Sequence, residues 1–188
     1  MATGISPLTR VRALPSGPAA RQRKTWPAQG NILVGPQVAA AMGAAFESAQ
    51  GELAEKLFAA LKAGDDAGGD SRGKQSASMI VVRKGGGRNI DNDRYLHINV
   101  DDNPQPVAEL RRLLDMNLGL LYQEKAGKLM TEGKPREARE AAALAARYTL
   151  QLDPQIRRRF DANAAAPNGR LRAILQDKEF LKELFPEN

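Results

Sequence analysis

Only two stretches of this 188-residue chain carry the mark of a β-strand, and they are neighbours. Residues 78–83 form an apolar, β-branched run that reads as a buried strand. Residues 94–101 alternate, with Leu96, Ile98 and Val100 on one face and Tyr95, His97 and Asn99 on the other. A glycine-rich loop joins them. A hairpin alone is marginal in water, because a stable sheet needs a third strand or substantial helix cover. Either something outside these strands completes the sheet, or helices supply most of the stability.

Helical spacing surrounds the strands. Within residues 36–63, Met42, Phe46, Ala49, Leu53, Leu57 and Leu61 recur every three or four positions, and Gln50-Gly51 divides the stretch into two helices. Gly64 is a stop signal, followed by a glycine-rich link over residues 64–73. Pro106 opens a helix with the stripe Val107, Leu110, Leu114, Leu118 and Leu121, and its pattern runs to Thr131. After the turn at residues 132–135, a further helix carries Ala138, Ala142, Ala145, Tyr148 and Leu152, small residues that allow close helix approach. Gly133, Ala138, Ala142 and Ala145 match a fragment of the tetratricopeptide pattern, in one repeat only, whereas a solenoid needs about three. Shorter helices are expected over residues 156–160 and 170–185. The fold class is therefore α+β and helix-rich, with few strands.

The net charge of +6 would ordinarily point to nucleic acid. Residues 1–28 hold five basic side chains and no acid, so the other residues, with 23 basic and 22 acidic, are almost neutral. That Pro-, Gly- and Arg-rich start reads as a disordered basic tail, and no specific nucleic-acid partner is expected. No run approaches the ~18 apolar residues of a membrane helix, so no membrane association is expected and the location is read as cytoplasmic. With no cysteine and one histidine, thiolate sites, cysteine nucleophiles and His-rich zinc sites are excluded, and no metal or cofactor is expected.

The densest motif spans residues 67–77. Gly68, Gly73 and Lys74 satisfy most of a phosphate-binding P-loop, but Gln75 stands where Ser or Thr should hold magnesium. The context also fails, because a P-loop runs from strand into helix and this one runs from helix into strand. Two readings remain for Asp70 and Arg72: an ion pair that orients a ligand, or a turn cap tying down local backbone. Asp91-Asn92-Asp93 starts like a calcium loop and fails at Tyr95. Asp101 and Asp102 read as helix caps rather than as an acid–base pair. His97 reads as a surface histidine, and Arg157-Arg158-Arg159 as a solvated helix face.

Together, Gln29-Gly30-Asn31-Ile32-Leu33, Ala67-Gly68-Gly69-Asp70 with Arg72-Gly73 and Gln75-Ser76-Ala77, and Val100-Asp101-Asp102-Asn103 with Pro106-Val107, Glu109-Leu110 and Arg112-Leu113-Leu114 resemble a bacterial and archaeal family. It is the domain-of-unknown-function 1028 family of the N-terminal-nucleophile (Ntn) hydrolase superfamily. The resemblance runs over residues 29–115. It implies a partial four-layer αββα fold, an amide-hydrolase ancestry, and a superfamily mechanism in which an N-terminal Thr, Ser or Cys uses its own amine as base. The matching region resembles the family's second half, and Asn103 stands where relatives often have His. No catalytic residue carries over, so the chain is expected to be truncated and inactive alone.

What transfers is a pocket lining of Gln29, Asn31, Asp70, Arg72, Gln75 and Ser76. Some relatives carry helical, tetratricopeptide-like additions. The expected organisation is a tail at 1–28, a partial αβ region at 29–115 and a helical extension at 116–188. The alternative function is a helical interaction module whose C-terminal helices bind a protein partner or a second copy.

Overall fold

The structure is a computed structural model and describes residues 9–11, 26–87 and 92–150. Its elements in chain order are β1 (Thr9–Val11), β2 (Ala28–Gly30), α1 (Gln37–Ser48), α2 (Leu53–Asp66), β3 (Ala77–Val82), β4 (Arg94–Val100), α3 (Pro106–Thr131) and α4 (Pro135–Leu150). The helix-rich α+β class expected from sequence is what the chain adopts. Its compact units are Met1–Leu110 and Arg111–Asn188. The expected helices at 156–160 and 170–185, Leu152 and Arg157-Arg158-Arg159 lie outside the described residues. So do Asp91 and most of the basic tail.

In the first unit, α1 and α2 form a helical hairpin broken where the glycine predicted it. Ala49 is extended and Gly51 sits at φ +97°, a conformation that costs glycine little. Gly64, read as a stop signal, lies inside α2, which ends two residues later, and the helices run antiparallel, since Gly64 faces Val38 and Met42 near the start of α1. A Cβ on Gly64 would come within 2.8 Å of Met42 Cγ, so the absent side chain sets how closely the helices approach. At the other end Lys56 lies over the Phe46 ring, and Trp26 packs on Phe46 with centroids 4.7 Å apart.

β3 and β4 pair antiparallel from Ala77↔Val100 to Val81↔Leu96, with an irregularity before Val82↔Arg94. Met79, Val81, Leu96, Ile98 and Val100 are buried on one face, as the alternation in residues 94–101 predicted. The expectation of a buried strand at 78–83 holds for one face and is corrected for the other: Ile80 and Val82 are 51% and 64% exposed. A two-stranded sheet has cover on only one side here, so every second apolar residue faces outward. Tyr95 anchors the hairpin to the helices. Its hydroxyl donates to Glu52 at 3.1 Å, just ahead of α2, and the Arg83 guanidinium lies 4.1 Å from its ring centroid.

A second pair, β1 with β2, joins Thr9↔Gly30 through Val11↔Ala28. Neither strand was expected, because three residues are too few to show a period. β1 lies within the segment read as a structureless tail. Trp26 and the buried Ala28, at the end of that segment, belong to the packed body.

In the second unit, α3 continues and turns into α4 at Gly133 (φ +72°). There the amides of Gly133 and Lys134 donate back to Met130 and Leu129. Of the small residues predicted to face a neighbouring helix, Ala138, Ala142 and Ala145 are buried, and Ala126, Ala141 and Ala142 make a buried cluster flanked by Tyr122, Leu129 and Met130. Tyr122 and Tyr148 stack at 5.8 Å. Asp115, buried in α3, is held by Arg111 one turn earlier, whose Nε donates at 2.9 Å. Among the described residues no helix is long and apolar enough to cross a membrane.

Candidate functional site

The loop after α2 is shaped by how that helix ends. Gly68 (φ +109°) donates to the Asp65 carbonyl and Gly69 to the Gly64 carbonyl, closing the helix in a glycine-terminated reversal. Asp70 then opens a tight turn closed by the Gly73 amide, 3.1 Å from the Asp70 carbonyl, with Gly73 at φ +104°. A short antiparallel bridge pins the turn to the segment after β2. Val34 N–H donates to Gly69 at 3.1 Å, and Ser71 N–H to Ile32 at 2.9 Å. Ile32 pairs there at φ +55°, a conformation that costs a β-branched residue about 1–3 kcal/mol and is held by these bonds.

Asp70 both caps the turn and pairs with the Arg72 side chain. Its Oδ1 accepts the Arg72 backbone N–H at 2.8 Å, which caps the turn. Arg72 Nε (2.9 Å) and Nη2 (2.6 Å) meet its two oxygens side by side. These bonds pull the Asp70 carboxyl from its ordinary 3.8 to about 2, chiefly through the Arg72 side-chain donors. Because the folded value lies below the unfolded one, the pair stabilises the fold above pH 3.8. That contribution disappears as pH falls through about 2. A carboxyl-carbon NMR titration should place the Asp70 midpoint near 2 and raise it toward 3.8 in Arg72→Ala, which removes the side-chain donors and keeps the backbone one. An unchanged midpoint in the variant would refute this assignment.

This turn forms one wall of an open cleft of about 910 Å³ in the first unit. Gln29, Asp70, Arg72, Gln75 and Ser76 all border it, and Asn31 does not. Asn31 is exposed, next to the left-handed Ile32. The floor is apolar, made by Leu33, Val38, Met42, Leu61 and Val107. Two bordering residues escaped sequence reasoning as a pair: Lys74 Nζ lies 2.6 Å from Asp65 Oδ1, across the turn. Their nine-residue separation follows no helical or strand period, so only the turn's closure brings them together.

Gln75 is positioned by a contact that revises another expectation. Its side-chain amide donates to Asp102 at 2.9 Å, and its carbonyl accepts from Asn103 N–H at 2.8 Å. Asp102 stands at φ +44°, clasping Gln75 instead of capping α3. Asn103 supplies the acceptor ahead of the helix, taking the Gln105 N–H at 2.7 Å. His97 is exposed on the outward face of β4, beside Arg94. Among the described residues no three His, Asp or Glu side chains converge as a metal site would require.

The pattern of the Family of unknown function (DUF1028) matches residues 13–110. The match begins inside the segment read as a disordered basic tail, ahead of the residues 29–115 that carry the resemblance, and ends where the first compact unit ends. No curated protein and no solved structure matches the chain. Since the match covers more than half of the sequence, including the whole described cleft wall, this chain belongs to the DUF1028 family of unknown function.

Proposed function

We infer that the first unit is the ligand-binding part of an Ntn-hydrolase-like domain, and that this chain binds an amide- or carboxylate-bearing small molecule without turning it over alone. The observation that carries this reading is the cleft itself. Five residues picked out by family resemblance line one polar wall above an apolar floor, the arrangement typical of a small-molecule site. Arg72, held by Asp70 along one edge, keeps Nη1 for a ligand oxygen. Among the described residues, Ser76 is the one hydroxyl side chain bordering the cleft, and Lys74, the amine nearby in sequence, is engaged by Asp65. Neither forms the nucleophile–base pair that acyl transfer uses.

The test is an amidase assay on the purified chain with a panel of acyl-amino-acid anilides, run beside calorimetric binding. Binding lost in Arg72→Ala, with no release above the buffer rate, is expected. Turnover abolished by Asp70→Ala would overturn the non-catalytic part.

A second reading has the α3–α4 hairpin present a partner or self-association surface. It is favoured by the tetratricopeptide-like helical hairpin that α3 and α4 form around the alanine cluster. Size-exclusion chromatography and pull-down giving a strict monomer without partners would reject it.

A further inference from the structure

The charges around the cleft are balanced and come in two pairs, Asp70 with Arg72 and Asp65 with Lys74. A ligand of one sign would satisfy one member of each pair while facing the like charge of the other. A ligand carrying both signs meets no such conflict.

The helix ends reinforce this polarity. α2 terminates at the cleft through Gly64 and Asp65, presenting the negative end of its dipole beside the Asp65 carboxylate. α1 and α3 begin at the cleft, bringing Val38 and Val107 to its floor and their positive ends with them. Each pair also keeps unused capacity. Lys74 gives one of its three donors to Asp65, whose second oxygen remains for a cation. Arg72 spends Nε and Nη2 on Asp70 and keeps Nη1.

Resting on the reading of this cleft as a ligand site, we propose that it binds a free α-amino acid with an apolar side chain, as the zwitterion. The carboxylate lies on Arg72 and Lys74, the ammonium on Asp65 at the end of α2, and the side chain on the floor at Val38 and Met42. Both cations are more than half exposed, so solvent screens them and the affinity is modest, with Kd on the order of 0.1–1 mM.

Calorimetry or amide chemical-shift titration of the full chain tests this with four compounds. L-leucine is compared with 4-methylpentanoate, which lacks the ammonium, with 3-methylbutylamine, which lacks the carboxylate, and with neutral N-acetyl-leucine amide. Leucine binding at least tenfold more tightly than each of the others supports the proposal. So does Arg72→Met lowering leucine to the level of the amine while circular dichroism stays unchanged. If any other compound binds within threefold of leucine, the zwitterion proposal is overturned and the cleft remains a ligand site. If none of the four binds, both are overturned. Asp65→Asn separates the poles: it removes the ammonium's partner and frees Lys74 for a carboxylate, so it should weaken leucine and leave 4-methylpentanoate no weaker, and equal weakening of both would overturn the assignment of the ammonium.

Discussion

Replacing Leu110 by alanine is expected to destabilise the chain by about 2–5 kcal/mol, read as a lower urea midpoint with an unchanged denaturant slope. Leu110 is fully buried on α3, one turn beyond Val107, which borders the cleft. Alanine removes the buried methyl groups and leaves a cavity that rigid helix neighbours fill only in part. The expected loss is a large share of the roughly 5–15 kcal/mol that typically holds a domain of this size together. An effect below about 0.5 kcal/mol, the range of ordinary surface substitutions, would show that α3 is not part of the core.

Gly68→Val is the second large effect, and it acts on the site directly. At φ +109° any side chain is strained, and a Cβ would lie 2.6 Å from Val34 Cγ2. The backbone contribution alone is about 1–3 kcal/mol. The reversal that closes α2 also delivers Asp70 to its turn. The variant should therefore lower the melting temperature and move the Asp70 titration from about 2 back toward 3.8. Gly127→Ala is the control of opposite sign. Gly127 lies inside α3, and a methyl group added there would meet nothing within 4 Å, so alanine should raise stability by about 0.5–1 kcal/mol. A melting temperature unchanged in Gly68→Val would mean the reversal is not needed to hold the turn.

Much of the secondary structure was legible because it rests on local rules. The break at Gly51, the start of α3 at Pro106 and the alternation through Leu96, Ile98 and Val100 all follow from glycine freedom, proline's fixed φ and strand periodicity. β1 and β2 were not legible, since three-residue strands are defined by their partner rather than by a pattern. The exposure of Ile80 and Val82 escaped for a related reason: an apolar β-branched run reads the same whether one face or both are covered.

The candidate site divides along the same line. The glycine–aspartate–arginine turn could be recognised because its residues are adjacent and each has a local role. Lys74 with Asp65, and Gln75 with Asp102, depend on segments that meet only after α2 reverses and β4 returns beside β3.

By itself, then, the sequence determined the helix-rich α+β class, the helix break at Gly51, the start of α3 at Pro106, the strand pair and the turn at Asp70. These are set by the backbone preferences and hydrogen bonds of residues a few positions apart. Only the tertiary structure decided that the turn faces an apolar floor, that its charges fall into two balanced pairs, and that Asp102 steadies Gln75 instead of starting a helix. Those outcomes depend on burial and on electrostatic contact between distant segments, and both exist only once the chain has closed on itself.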